Sequence, residues 1–265
     1  MKRIYGWKPD LPIHHDNFLL TAHPEIVKTF PKIKILGSFP PVYDQKDIGS
    51  CTANAASGVV EFFLKNKCGT CSSVSRNFIY KTTRNLMRTK GDSGAYIRTT
   101  MSALELFGVP PEKYWEYDVE KYDNEPPSFC YSFGQNYQAI KYFRLDEEAK
   151  TKKEILQNIK ETISKKIPIM FGFTVYSSID NVMNGKIPYP INGETVLGGH
   201  AVVCVGYDDG LAINDKIGAF IIRNSWGETW GEKGYGYLPY EYVLSGLALD
   251  WWALVKSEWV DVKEF

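Results

Sequence analysis

The sequence predicts an α+β fold of two lobes with a cleft between them. Three observations carry that prediction. Segments with helical spacing of apolar residues are confined to the first part of the chain, up to about residue 165. After Pro168 the texture changes to short β-branched or aromatic runs separated by Gly, Asn and Asp turns. The two kinds of element are therefore segregated rather than alternating, which favours α+β over a parallel βαβ sheet. A chain of 265 residues is long enough to bury a core in each lobe.

Residues 1–37 read as an extended leader, rich in Pro and His and without strong periodicity. SFPPVYDQKDIGS, residues 38–50, is turn-like. A helix is expected from Cys51 through CTANAASGVVEFFLKNK, beginning with small residues and stopped at Gly69. SVSRNFIYKTTRNLMRTK gives a second helix and IRTTMSALELFGV a third, ending at Gly108. Residues 110–137, with paired prolines and many tyrosines, read as a connecting excursion. TKKEILQNIKETISKK places Ile155, Leu156, Ile159 and Ile163 on one helical face. The strands are expected in IPIMFGFTVY, HAVVCVGYDD, AFIIRNSWG and GYGYLPY, and DGLAINDKIG reads as a loop between the second and third. The expected division is an extension of residues 1–37, a helical lobe of about 47–133 and a β-rich lobe of about 134–265.

Composition narrows the function. Lys and Arg together number 31, as do Asp and Glu, so there is no electrostatic case for a nucleic-acid partner. No window reaches the roughly 18 apolar residues of a membrane-spanning helix, and MKRIYGWKPDLPIHHDNF has no apolar signal core. Five cysteines form an odd and sparse set, a poor disulfide framework. Together these lead us to expect a reducing, cytoplasmic compartment and five free thiols. His14, His15 and His23 lack acidic or cysteine ligands at suitable spacing, and Cys68-Gly-Thr-Cys71 lacks a second ligand pair, so neither metal nor cofactor is expected.

Cys51 stands at the start of a predicted helix, where free N–H groups favour a thiolate. On its own it reads as a buried structural thiol. Gln45, six residues upstream across a Gly-containing loop, is placed to donate, with the Cys51 N–H, to an oxyanion. His200 follows two glycines in LGGHAVVCVGYDD and can serve as general base across a cleft. Asn224, in IIRNSWGETWGEKGYGY, can orient the imidazole, with Trp226 shielding that bond from water.

At these residues the chain resembles the papain and cathepsin family of cysteine peptidases. The order Gln, Cys, His, Asn matches, as do GSC before the nucleophile, GGHAV around the base and NSWGxxWGxxGYG after the orienter. The resemblance runs from about residue 38 to the C-terminus and includes SRNFIY, DSG and ALELFGV. It implies a helical left lobe led by the Cys51 helix, a barrel-like right lobe, and endopeptidase activity on protein or peptide substrates through an acyl-enzyme. The same intermediate would serve a peptide ligase or transpeptidase, and an impaired binding protein could keep the fold. The family pattern also assigns Gly94, Gly199, Trp226 and Asp250 to substrate binding. Asp250, before Trp251 and Trp252, would floor the pocket for the second residue before the scissile bond and accept Arg there.

Three positions depart from the family pattern. Ile48 and Thr52 stand where the family usually has a cysteine and a tryptophan, and Gly199 where papain has Asp. The leader is too short for the family's helical prosegment. Tyr5, Trp7, Pro9, Leu11 and Phe18 nevertheless give an extended aromatic stretch able to lie in the cleft. Blocking the cleft and strapping the surface are equally open at this point, and self-clipping is expected if the segment blocks as a substrate would.

Overall fold

The computed structural model describes residues 3–11, 30–37, 39–69, 73–147 and 150–259. Phe18, the three leader histidines and Cys71 lie outside them. The elements in chain order are β1 (Trp7–Lys8), β2 (Ile33–Ile35), α1 (Cys51–Cys68), α2 (Arg76–Leu86), β3 (Ala95–Tyr96), α3 (Ile97–Phe107), α4 (Ser128–Gly134), β4 (Tyr137–Arg144), α5 (Lys152–Ser164), β5 (Ile169–Tyr176), β6 (Val196–Ile213), β7 (Lys216–Arg223), β8 (Tyr235–Pro239), α6 (Glu241–Leu244) and β9 (Ala248–Trp259).

Local chemistry accounts for the helix ends. Gly69 takes a left-handed conformation and its N–H closes on the Lys65 carbonyl, ending α1. Ser75 accepts a hydrogen bond from the Phe78 N–H and starts α2. Thr151 and Glu154 cap each other's backbone N–H at the start of α5. Small residues at the start of α1 make it narrow enough to be buried on all sides: Cys51, Ala53, Ala55, Ala56, Ser57 and Gly58 are all inaccessible or nearly so.

Strands β4, β9, β5, β6, β7 and β8 pair in that order and antiparallel, and β2 adds to β6. One hydrophobic cluster joins α1, α2 and α3. It reaches the sheet face through Met170, Ala201 and Val203. A second cluster fills the sheet's other side against α5, with Phe171, Phe173, Tyr207, Phe220 and Trp251 at its centre. Helical and β-rich parts thus have separate cores, and α1 lies between them.

The structure differs from the expectation in three places. The 110–137 excursion contains α4 and two 3-10 turns, Glu112–Tyr114 and Val119–Lys121. Strands β4 and β9 pair with each other although neither stood out in the sequence. DGLAINDKIG is a strand continuation: β6 runs to Ile213 and β7 restarts at Lys216, with Asn214 left-handed in the turn.

Candidate active site

Four segments converge where α1 begins. The loop before α1 is held by two side chains. Asp92 accepts from the Gly49 N–H at 2.8 and 2.9 Å and from the Tyr80 hydroxyl at 2.5 Å. Tyr117 donates to the Gln45 carbonyl at 2.7 Å and pairs with Ser50 Oγ at 2.7 Å. Ser50 makes no side-chain cap, and no acidic residue lies in the first turn of α1. The positive helix end is therefore left for the Cys51 sulfur.

His200, in β6, faces Asn224, which follows β7. The ring Nε2 and Asn224 Oδ1 are 2.7 Å apart. The same oxygen accepts the Ser225 N–H at 2.7 Å, which fixes the amide with its oxygen toward the ring. Nε2 must then carry a hydrogen. Nδ1 is buried and has no partner, so it is the nitrogen free to take a proton. Trp226 stacks on the imidazole with ring centroids 4.4 Å apart. Backbone N–H groups of Ala201, beside His200, and of Gly6, Thr52 and Cys51 pull the Cys51 thiol toward its charged form. Gln45 is tied to the same cluster, its Oε1 accepting from Ser225 Oγ at 2.6 Å. Its Nε2 donates to the Ile48 carbonyl at 3.0 Å and to the Ile4 carbonyl at 3.3 Å. Cys51, His200, Asn224 and Gln45 are thus brought together.

Residues 3–11 lie across this cluster. Arg3 sits 4.3 Å over the Trp226 ring. Tyr5 meets His200 and Trp226 edge-on at 6.4 and 6.2 Å. Gly6 accepts from the Ala95 N–H at 2.8 Å, and β1 runs parallel to β3. Three glycines permit the approach. A Cβ at Gly6 would lie 1.9 Å from the Gly49 carbonyl oxygen, one at Gly94 2.2 Å from the Gly6 oxygen, and one at Gly199 2.5 Å from the Trp7 oxygen. Gly94, Gly199 and Trp226 therefore all contact the leader. So does Asp250, which accepts from Trp7 Nε1 at 3.1 Å and from the Asp10 N–H at 2.8 Å. Sequence reasoning missed Ser225, Asp92 and Tyr117, whose roles depend on contacts far along the chain. Ser225 carried a signal as the serine of NSWG and Asp92 as the first residue of DSG; Tyr117 carried none.

The covered site is electrostatically quiet. Burial pushes the Cys51 thiol up to about 11, against the pull of the surrounding N–H groups. Burial also pushes His200 down to about 4; the Asn224 bond opposes this and the Arg3 charge adds to it. With residues 3–11 in place the pair is a thiol beside a neutral imidazole. Cys51, Cys130 and Cys204 are free thiols. Among the described residues no group of His, Cys, Asp and Glu could hold a metal, and no helix is long and apolar enough to cross a membrane.

The family model of the papain family cysteine protease matches residues 33–246. An uncharacterised peptidase C1-like protein of Acanthamoeba polyphaga mimivirus is 35% identical over 89% of this chain and 78% of its own length. Cathepsin K of Gallus gallus is 30% identical over 75% of this chain, which spans just 55% of that protein. Among solved structures, xylellain, a cysteine protease from Xylella fastidiosa, superposes with a TM-score of 0.82 at 34% identity, covering 97% of this chain and 96% of that one. The digestive procathepsin L 3 of Tenebrio molitor shares the fold, with a TM-score of 0.66 at 18% identity over 91% of this chain and 76% of that one.

Proposed function

Because the chain belongs to the papain family of cysteine proteases, we propose that it is an endopeptidase acting through Cys51, His200, Asn224 and Gln45, and that residues 3–11 hold it inactive. The observation that carries the catalytic reading is the imidazole fixed by Asn224 through Nε2, with an unpartnered Nδ1 beside the start of α1.

The reaction follows from that arrangement. Cys51 passes its proton to His200 Nδ1, and the sulfur attacks the scissile carbonyl carbon. The carbonyl electron pair moves to the oxygen, which Gln45 Nε2 and the Cys51 N–H stabilise. His200 then protonates the leaving amine as the C–N bond breaks, leaving a thioester. Water, deprotonated by His200, attacks the thioester; the acid product leaves and the thiol is restored. Thr52, where the family usually has Trp, is buried with its hydroxyl unpartnered, and shielding of the imidazole falls to Trp226.

Blocking is favoured over strapping because the segment lies on the reacting groups themselves. The Ile4 carbonyl accepts from the Gln45 amide and the Gly6 carbonyl from the Ala95 N–H, so both are engaged while the segment is docked. The segment is tethered to the site it covers. Its high effective concentration lets weak contacts suffice.

Incubation with an epoxide that alkylates papain-type thiols, followed by peptide mass mapping, tests the assignment. The adduct is expected on Cys51, forming faster after removal of residues 1–11. An adduct on another cysteine, or none in the folded truncated protein, would contradict it.

A further inference from the structure

The pocket that holds Trp7 is built to a narrower specification than a general hydrophobic slot. Trp7 is buried in the cluster that contains Met170, Ala201 and Trp252. Two of its walls are glycine. A Cβ at Gly172 would lie 1.9 Å from the indole Cε2 and one at Gly199 2.6 Å from Cζ3's neighbour Cε3. Any side chain at either position would remove the space the six-membered ring takes up. At the far end Asp250 Oδ2 accepts the indole N–H.

That acceptor is fixed in advance. Arg144 Nη2 donates to Asp250 Oδ1 at 2.9 Å, and Arg144 Nε donates to Asp146 Oδ1 at 3.1 Å. Asp146 Oδ2 in turn accepts the Asp250 N–H at 2.8 Å, holding a residue whose backbone is left-handed, at φ 58°. Asp250, Asp146 and Arg144 so form a closed unit that aims Oδ2 into the pocket.

Resting on the peptidase reading above, we propose that this pocket is a substrate subsite selective for tryptophan, with Asp250 as the residue that reads the indole N–H. The arginine preference expected from the sequence is the competing outcome: Arg144 is shared between Asp250 and Asp146, which leaves Oδ2 as the acceptor facing the pocket. In protein without residues 1–11, where the Asp10 N–H that also meets Oδ2 is gone, phenylalanine would fill the glycine-walled space but leave Oδ2 facing an apolar ring, and an unpaired buried acceptor is costly. A hydrogen bond to a charged group corresponds to about 10- to 100-fold in affinity.

Two experiments test this. The first compares kcat/KM of protein lacking residues 1–11 on fluorogenic peptides that carry Trp, Phe, Leu or Arg at the second residue before the scissile bond. Trp is expected to lead Phe and Arg by about tenfold or more, and Gly172→Ala to invert the order in favour of Leu. Turnover of all four peptides with Trp no better than Phe would overturn the tryptophan subsite and leave the peptidase reading standing. Absence of turnover and of Cys51 labelling would overturn both. The second uses the full chain, where Trp7→Phe removes the indole N–H and shrinks the ring while Asp250 Oδ2 keeps the Asp10 N–H. Its activity on a small peptide is expected to rise about two- to tenfold, and a folded Trp7→Phe protein no more active than the parent would show that Asp250 does not read the indole.

Discussion

Replacing Gly6 by alanine adds one methyl group at the most crowded point between the leader and the site. That methyl would stand 1.9 Å from the Gly49 oxygen, 2.4 Å from its carbonyl carbon and 2.6 Å from its Cα. Ordinary carbon contacts are about 3.5 Å or longer. All three atoms are backbone, and Asp92 pins the Gly49 N–H, so the leader must retreat by roughly 1.5 Å to restore such contacts. The Gly6 carbonyl bond to Ala95, now 2.8 Å, does not survive that retreat. Overpacking of this kind costs about 1–3 kcal/mol, which shifts the docked-to-open ratio by about 5- to 150-fold. Hydrolysis of a small fluorogenic peptide by the full chain should rise by that factor, up to the ceiling set by protein lacking residues 1–11. Alkylation of Cys51 should accelerate in parallel, because opening lifts the burial that holds the thiol up. A folded Gly6→Ala protein with unchanged turnover and unchanged alkylation would refute the view that docking of this segment limits activity.

Two further outcomes follow from the same contacts. Gln45→Ala in the truncated protein should lower kcat by roughly 10²- to 10³-fold, and a change confined to KM would remove Gln45 from the oxyanion role. Docking should also be proton-linked. It buries Asp10 against Asp250, and burial first, then the Asp10 charge, pushes Asp250 up to about 7, while Asp10 is raised mainly by burial. The charged groups facing them are Arg144, which lowers both, Arg98, which lowers Asp10, and Asp146, which raises Asp250. Raised values mean that the docked form binds more protons, so docking is strongest in acid, below the undocked carboxylate range, and weakens as pH rises toward about 7. The thiol and imidazole contribute little to this slope, since thiol plus neutral imidazole and thiolate plus imidazolium carry the same number of protons. The activity ratio of full chain to truncated protein should therefore rise between acid and neutral pH and flatten in Asp10→Asn, as read from paired pH profiles; a ratio independent of pH would exclude the linkage.

The sequence exposed those parts of the molecule whose signals are local. The span of α1 was legible because small residues open it and Gly69 closes it. His200 and Asn224 were legible because each sits in a glycine-rich or aromatic motif with few structural alternatives. Strands β4 and β9 were not, because their pairing is decided by partners more than 100 residues apart in sequence, and a run such as ALDWWALVKSEW has no clean alternation. The role of the leader was only half legible. Its aromatic residues marked it as able to enter a cleft, but its path depends on Gly6 lying against Gly49 and Gly94 and on Trp7 lying against Gly199. The surroundings of Asp250 were not legible for a similar reason: only the fold brings Arg144 and Asp146 to it.

The most direct test of the mechanism is the turnover of Cys51→Ala in protein lacking residues 1–11. The side chain is fully buried at the head of α1 and loses a single sulfur, so the variant should fold and unfold like its parent. Peptide hydrolysis should fall to background at every pH, because the proposed nucleophile is gone. Retained hydrolysis by the purified variant would contradict the assignment of Cys51 as the nucleophile.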